Sequence, residues 1–302
     1  MFKSKNSMSR ALVRRETTAG YLFLLPSLFF FVTFVLYPMF LCIYTSFFDS
    51  NMGKNAVDVF VGLGNYKELF QDKLFLGALK NTVVIVVVAV PTVCAFSLWV
   101  ATAIYDMKPA LTSAFRCIFY LPVVTGSVAV TVVWKWMYNS RYGVFNYLFK
   151  SLGIIDQNIN WLGVARFALW CIILILFTTS VGQPIVLYVS ALGNVDHSLV
   201  EAAQVDGANR RQVFWKIKWA QIMPTTLYIL IITTINSFQC FALIQLLTSG
   251  GPTHSTDTIM YYIYYTAFKL YRYGYGNAMG VVLMVIIAVL SAVQFKLGQQ
   301  SD

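Results

Sequence analysis

The chain has 302 residues, of which 58% are hydrophobic and 11% charged, with a net charge of +10. Soluble domains carry about 25% charged residues, so a water-soluble fold is excluded and a bilayer must take the apolar excess. The basic residues lie mostly between apolar runs rather than in one dense patch, which argues for membrane topology and anionic headgroups and against nucleic acid.

In chain order, the tail 1–20 carries Lys3, Lys5, Arg10, Arg14 and Arg15. Six apolar stretches follow, at 21–48, 81–105, 114–138, 167–192, 224–247 and 277–297, and each reaches the length of about 20 helical residues that crosses a bilayer. They must be helices, since an open strand would leave unpaired amides in lipid. The expected architecture is an all-α polytopic membrane protein. The first stretch far exceeds a signal-peptide core of about 7–15 residues and has no clear A-x-A site, so it reads as a retained span. The basic tail places the N-terminus in the cytoplasm. Six crossings then put the segments near 106–113 and 193–223, and the C-terminus, on the same side.

The segments assigned outside look ordered. Residues 49–80 and 139–166 read as short interfacial helices, with Tyr142, Phe145, Tyr147 and Trp161 as anchors at headgroup depth. Tyr271-Arg272-Tyr273-Gly274-Tyr275 reads the same way, and contact with an external partner fits these residues equally. Internal repeats are not evident.

Within these limits the spans contain no Asp or Glu, and Arg116 and Lys135 fall near the ends of span three. Missing carboxylates argue against proton or sodium coupling, and the lack of a central cation favours a neutral solute. The polar groups inside are amides and hydroxyls. Span five carries Thr233, Thr234, Asn236, Ser237 and Gln239, then Cys240 and Phe241; span four carries Thr178, Thr179, Ser180, Gln183 and Tyr188. Such groups beside aromatic rings suit a sugar, and they equally suit hydrogen bonding between helices. The five cysteines, at positions 42, 94, 117, 171 and 240, form no C-x-x-C pair and read as small hydrophobes. His197 and His254 stand far apart, so no metal site is expected.

Residues 194–219, between spans four and five, are the most informative. Ser198 and Glu201 have capping-box spacing, which predicts a short helix, and Gly207 predicts a positive-φ stop. Arg210 and Arg211 then open a second amphipathic helix carrying Val213, Phe214 and Ile217. The alternative is a loop lying on lipid, to which Trp215 and Trp219 are suited.

Glu201-Ala202-Ala203, followed by Asp206-Gly207-Ala208, resembles the EAA motif of permease subunits of ATP-binding-cassette importers. The rest of the chain is similar to the maltose-type branch: Leu24-Leu25-Pro26, Leu36-Tyr37-Pro38, Gly62-Leu63-Gly64-Asn65-Tyr66, Asn81-Thr82, Tyr120-Leu121-Pro122, Trp134-Lys135-Trp136, Ser249-Gly250-Gly251-Pro252 and Gly274-Tyr275-Gly276-Asn277-Ala278. One departure is Trp219-Ala220, where the family commonly has Leu-Pro; Pro224 is retained. The large external insertion of some maltose permeases is absent.

The resemblance implies a type I (MetI-like) importer permease fold, with a first helix and external segment at 21–70 and a five-helix core at 71–302. It implies that Glu201, Ala202, Ala203, Asp206, Gly207 and Arg210 dock a separate ATPase: Glu201 by charge complementarity, the alanines by close approach, Gly207 by its turn. Ser180, Gln183, Asn236, Ser237, Gln239 and Cys240 would line the sugar path. No G-x-x-x-x-G-K-S/T occurs, so ATP and Mg would be used by the partner, with no cofactor on this non-catalytic chain. Implied partners are a second homologous permease, two cytoplasmic ATPase subunits and an extracytoplasmic sugar-binding protein, in a bacterial or archaeal cytoplasmic membrane. The nearest rival solute is glycerol phosphate. An ion-coupled secondary transporter would need intramembrane charge, and a membrane enzyme would need a catalytic constellation.

Overall fold

A computed structural model describes residues 3–50 and 58–299, with side chains described from Glu16 to Gly298 within those ranges. The basic side chains of the tail, and the part of the 49–80 segment at 51–57, lie outside that description. Five helices are long and apolar enough to cross a membrane, or six if one bent pair is a single span. They are span one, Glu16–Thr45; span two, Lys73–Tyr105; span three, Pro109–Val124 with Ser127–Met137; span four, Ala165–Gly193; span five, Arg210–Leu247; and span six, Tyr273–Gly298. The chain is a polytopic helical membrane protein.

Span three is not the continuous run expected at 114–138. Its two halves meet at 96° around Thr125 and Gly126. Pro122 lies in the last turn of the first half and Gly126 starts the second, so the hydrogen-bond ladder ends there. The Leu121 carbonyl accepts from both the Thr125 N–H (3.2 Å) and the Thr125 hydroxyl (2.8 Å), so the hydroxyl too finds its partner within the helix.

Asp72 starts span two, its Oδ1 accepting from the N–H groups of Leu74 (2.8 Å) and Phe75 (3.4 Å). The span then buries one helical stripe: Phe75, Ala78, Thr82, Ile85, Ala89, Val93, Ser97, Val100 and Ile104. Against it pack span four and span five. Span four breaks at Val181, where the Ser97 hydroxyl donates to the Val181 carbonyl at 3.2 Å. Gly182 follows, and a Cβ there would lie 2.3 Å from the Phe119 carbonyl oxygen, so spans three and four touch through backbone.

Span five stops at Phe238 and resumes at Ala242. The loop after it, Thr248–Thr258, folds back onto this break and onto span two. Asn81 donates to the carbonyls of Ser255 (3.1 Å) and Asp257 (3.0 Å), and the Thr82 hydroxyl accepts from the Ile259 N–H at 3.0 Å. At the same end lie a short helix, Gly64–Gln71, and a two-residue antiparallel ladder pairing Phe48 with Phe60 and Asp49 with Val59. The expectation of helices alone at 49–80 missed this ladder, which gives the strand-like Phe48 and Phe60 a backbone partner. Glu68 of the short helix accepts two bonds of 2.8 Å from Arg272, whose guanidinium also lies 4.5 Å from the Tyr275 ring centroid. Span one stands apart: the apolar stretch of its described residues is unburied by this chain, and Tyr37–Thr45 packs against span six.

Candidate functional site: a capped loop and a polar cavity

The loop between spans four and five stands at the end of the bundle opposite to Asp72. Its short helix runs His197–Val205. Its cap is Asp196, whose carboxylate accepts from the Ser198 N–H at 2.9 Å, and not Ser198. A charged acceptor two residues earlier meets the helix dipole better than a hydroxyl does, so Ser198 and Glu201 fall inside the helix and form no capping box. The Ser198 hydroxyl and N–H hold the Asp196 carboxyl below its ordinary range. The Asp196 N–H donates to Gln221 Oε1 at 3.1 Å, fastening the loop to span five.

Gly207 stands at φ +84°. Its N–H reaches the Gln204 carbonyl at 3.0 Å, and the Ala208 N–H reaches the Ala203 carbonyl at 2.9 Å. These two bonds make a complete Schellman stop, for which glycine is the favoured residue. Nothing lies within 4 Å of a Cβ at Gly207, so the requirement is conformational. Asn209 and Gln212 cap the following helix reciprocally, at 2.9 and 2.8 Å. That helix is not a separate unit as expected. It runs from Arg210 through a π turn at Phe214–Lys218 directly into span five, with Trp219-Ala220 and Pro224 inside it.

Glu201, Ala202, Asp206, Gly207 and Arg210 are exposed and Ala203 half-buried. Two apolar side chains beside them are also exposed, Leu199 at 50% and Val205 at 88%. Sequence reasoning passed over both; their spacing on a face with Ala202 was the available signal. The base of the loop is packed. Val195, Leu192 and the half-buried Val200 and Trp219 share one cluster with Ile185, Tyr188, Ile222 and Ile229. Between the loop helix and the ends of spans two and five is a cleft of about 560 Å³, with Tyr105, Asp106, His197, Gln204, Arg210 and Lys218 in its wall.

Ile229 also faces a second cavity, of about 160 Å³, between spans three, four and five. Thr179, Ser180, Gln183, Tyr228, Thr233 and Asn236 supply its polar wall. Three of the six residues expected to line a solute path therefore meet here: Ser180, Gln183 and Asn236. The other three do not line this cavity. Ser237 is turned about 100° from Asn236 on the helix and is buried at 1% exposure. Gln239 and Cys240 lie beyond the helix end, with Gln239 exposed and Cys240 buried in a core cluster. Tyr228, which sequence reasoning missed, lies eight residues before Asn236, at helical spacing. Tyr188, expected among the polar path groups, is fully buried in the core.

Residues 71–300 match the family described as "Binding-protein-dependent transport system inner membrane component". Two curated relatives align along nearly the whole chain. One is the "Probable ABC transporter permease protein YesP" of Bacillus subtilis (strain 168), 33% identical over 94% of this chain and 91% of its own. Another is the "Multiple sugar-binding transport system permease protein MsmF" of Streptococcus mutans serotype c, 32% identical over 94% of this chain and 96% of its own. The fold is similar to a chain in the crystal structure of a bacterial alginate ABC transporter in complex with its alginate pentasaccharide-bound periplasmic protein. The TM-score is 0.80 at 24% identity, with 93% of each chain covered.

Proposed function

The chain belongs to the family of binding-protein-dependent transport system inner membrane components, and on that premise we propose that it is a non-catalytic permease subunit of an ATP-driven importer of a sugar. The loop His197–Gly207 faces the cytoplasm together with both termini, and docks one of two ATPase subunits that bind ATP and Mg. A second, homologous permease covers the open side of the cavity. An extracytoplasmic sugar-binding protein delivers the solute at the opposite end, near Asp72 and the Thr248–Thr258 loop.

One observation carries this reading: the loop that exposes Glu201, Ala202 and Val205 is rooted in the same packed cluster whose Ile229 faces the polar cavity. Packed interiors transmit displacement rather than absorb it. Closure of an ATPase dimer would push the capped helix, and Val195 and Val200 would carry the push into spans two, four and five. Ala202 and Ala203 permit close approach, and Glu201 offers a charge to a basic cleft. The cavity is small beside the 300–1,000 Å³ typical of ligand sites, in keeping with one wall of a site completed by the second permease. The MsmF relative, named for a sugar system, supports the solute class.

The test is Gly207→Ala in the assembled complex reconstituted in liposomes. The left-handed φ costs a side chain about 1–2 kcal/mol, which loosens the stop without touching the spans. The expected result is normal assembly with binding-protein-stimulated ATP hydrolysis and sugar uptake both reduced about tenfold or more. Unchanged uptake at equal complex abundance would overturn the docking role.

A further inference from the structure

The break in span three changes the standing of Arg116. Instead of lying near the end of a 25-residue run, it sits midway along the helix Pro109–Val124. Its Nε is buried with no hydrogen-bond partner, and neither ion pair among the described residues includes it. Spans two to six carry no Asp or Glu, so those five spans supply no counter-ion. Arg116, Cys117 and Tyr120 of span three and Gln183, Val186 and Leu187 of span four line a hollow of about 460 Å³. Gln183 and Leu187 are at the same time walls of the polar cavity. The two spaces are thus neighbours across shared side chains, one polar and neutral, the other apolar with a single cation.

An uncompensated guanidinium in apolar surroundings is unfavourable unless an anion meets it, and such residues in membrane helices mark solute pathways. We propose that Arg116 recognises an anionic group on the transported solute, so that the solute is an acidic sugar or a phosphorylated polyol rather than a neutral one. The inference rests on the importer reading of the cavity. It corrects the expectation of a neutral solute, which depended on Arg116 being at a span end. The guanidinium fork can hold two oxygens of a carboxylate, phosphate or sulfonate, while Gln183, Ser180 and Asn236 bind hydroxyls alongside.

Cys117, the exposed cysteine beside Arg116, reports the local potential. In the reconstituted complex its modification is followed by peptide mass spectrometry, with anionic sulfonatoethyl and cationic trimethylammonioethyl methanethiosulfonate. Arg116→Gln is expected to lower the anionic-to-cationic rate ratio about tenfold, a difference of about 1.4 kcal/mol, and Arg116→Lys to restore most of it. In parallel, ATP-driven uptake is measured for digalacturonate, glycerol 3-phosphate, maltose and lactose. Uptake of an anionic member, with KM raised about tenfold in Arg116→Gln, supports the proposal. An unchanged rate ratio overturns it, as does uptake of neutral sugars alone. Surface charge shifts the ratio alike in both proteins, so a difference between wild type and Arg116→Gln that disappears when phosphatidylglycerol replaces phosphatidylcholine assigns Arg116 to an anionic lipid headgroup and also overturns it. ATP-driven uptake of none of the four solutes defeats the importer reading itself, and the anion proposal with it.

Discussion

The Thr258 hydroxyl donates to the Cys240 carbonyl at 2.7 Å, across the break in span five, with both residues buried. The same oxygen accepts from the Tyr261 N–H at 3.3 Å and so starts the helix Ile259–Tyr264. One side chain thus closes an open backbone and caps the next element. Thr258→Val keeps the shape and removes both bonds, and is expected to destabilise the protein by about 1–3 kcal/mol. Thermal unfolding in detergent checks this; Thr258→Ser, which keeps the hydroxyl, should lie close to wild type.

Asp72 holds three elements together, accepting from Leu74 and Phe75 in span two, from Tyr262 at 2.7 Å and from Tyr275 at 2.9 Å. Partial burial works to raise its carboxyl, but the hydrogen bonds from Tyr262, Tyr275, Leu74 and Phe75 outweigh it and hold the group below its ordinary range. Its contribution to stability is therefore complete above the unfolded value of about 3.9 and is lost as pH falls through the depressed folded value. Melting curves from pH 3 to 7 should show wild type losing stability on the acid side more steeply than Asp72→Asn, which starts lower and stays flatter.

A methyl group at Gly182 would meet the Phe119 carbonyl oxygen at 2.3 Å and Val123 Cγ2 at 2.8 Å. Backbone cannot yield as a side chain does, so Gly182→Ala should push spans three and four apart at about 1–3 kcal/mol. Because Ser180 and Gln183 flank this residue and line the cavity, uptake per assembled complex should fall several-fold. A methyl group at Gly77, in span two, would meet nothing within 4 Å, and Gly77→Ala should be neutral or slightly stabilising, since alanine favours helix by up to about 1 kcal/mol.

The cavity separates the polar residues of span five by face. Asn236→Ala, Gln183→Ala and Tyr228→Phe should each raise the KM for uptake, by about tenfold where a solute hydroxyl loses its partner. Gln239→Ala, outside the cavity wall, should leave KM within about twofold, and Cys240→Ala should act on thermal stability instead. A KM effect at Gln239 equal to that at Asn236 would contradict the assignment.

Much of this was legible in the chain itself. Apolar runs of spanning length have one solution in lipid, because every backbone amide must be satisfied within its own segment. Gly207 was readable as a stop because few residues other than glycine take a left-handed turn. The cap at Asp196 was missed because two cap-forming residues stood two positions apart, and local pattern does not choose between them. The continuity of Arg210–Phe238 was missed because its first half is amphipathic and basic, which resembles an independent interfacial helix until span two and span four are seen to pack along it.

Composition, span length and the loop motif determined by themselves that the chain is a helical membrane permease with a small capped helix at one end, since those features depend on neighbours in sequence. Only the tertiary structure decided which polar residues share a space. Ser237 and Asn236 are adjacent in the chain and face different surroundings, while Ser180 and Asn236, 56 positions apart, line one cavity. The helix Pro109–Val124, which starts before the expected 114 and ends at the 96° break, likewise places Arg116 at a helix middle rather than a span end. Both outcomes follow from how helices rotate and close on one another, which is set by packing between distant segments.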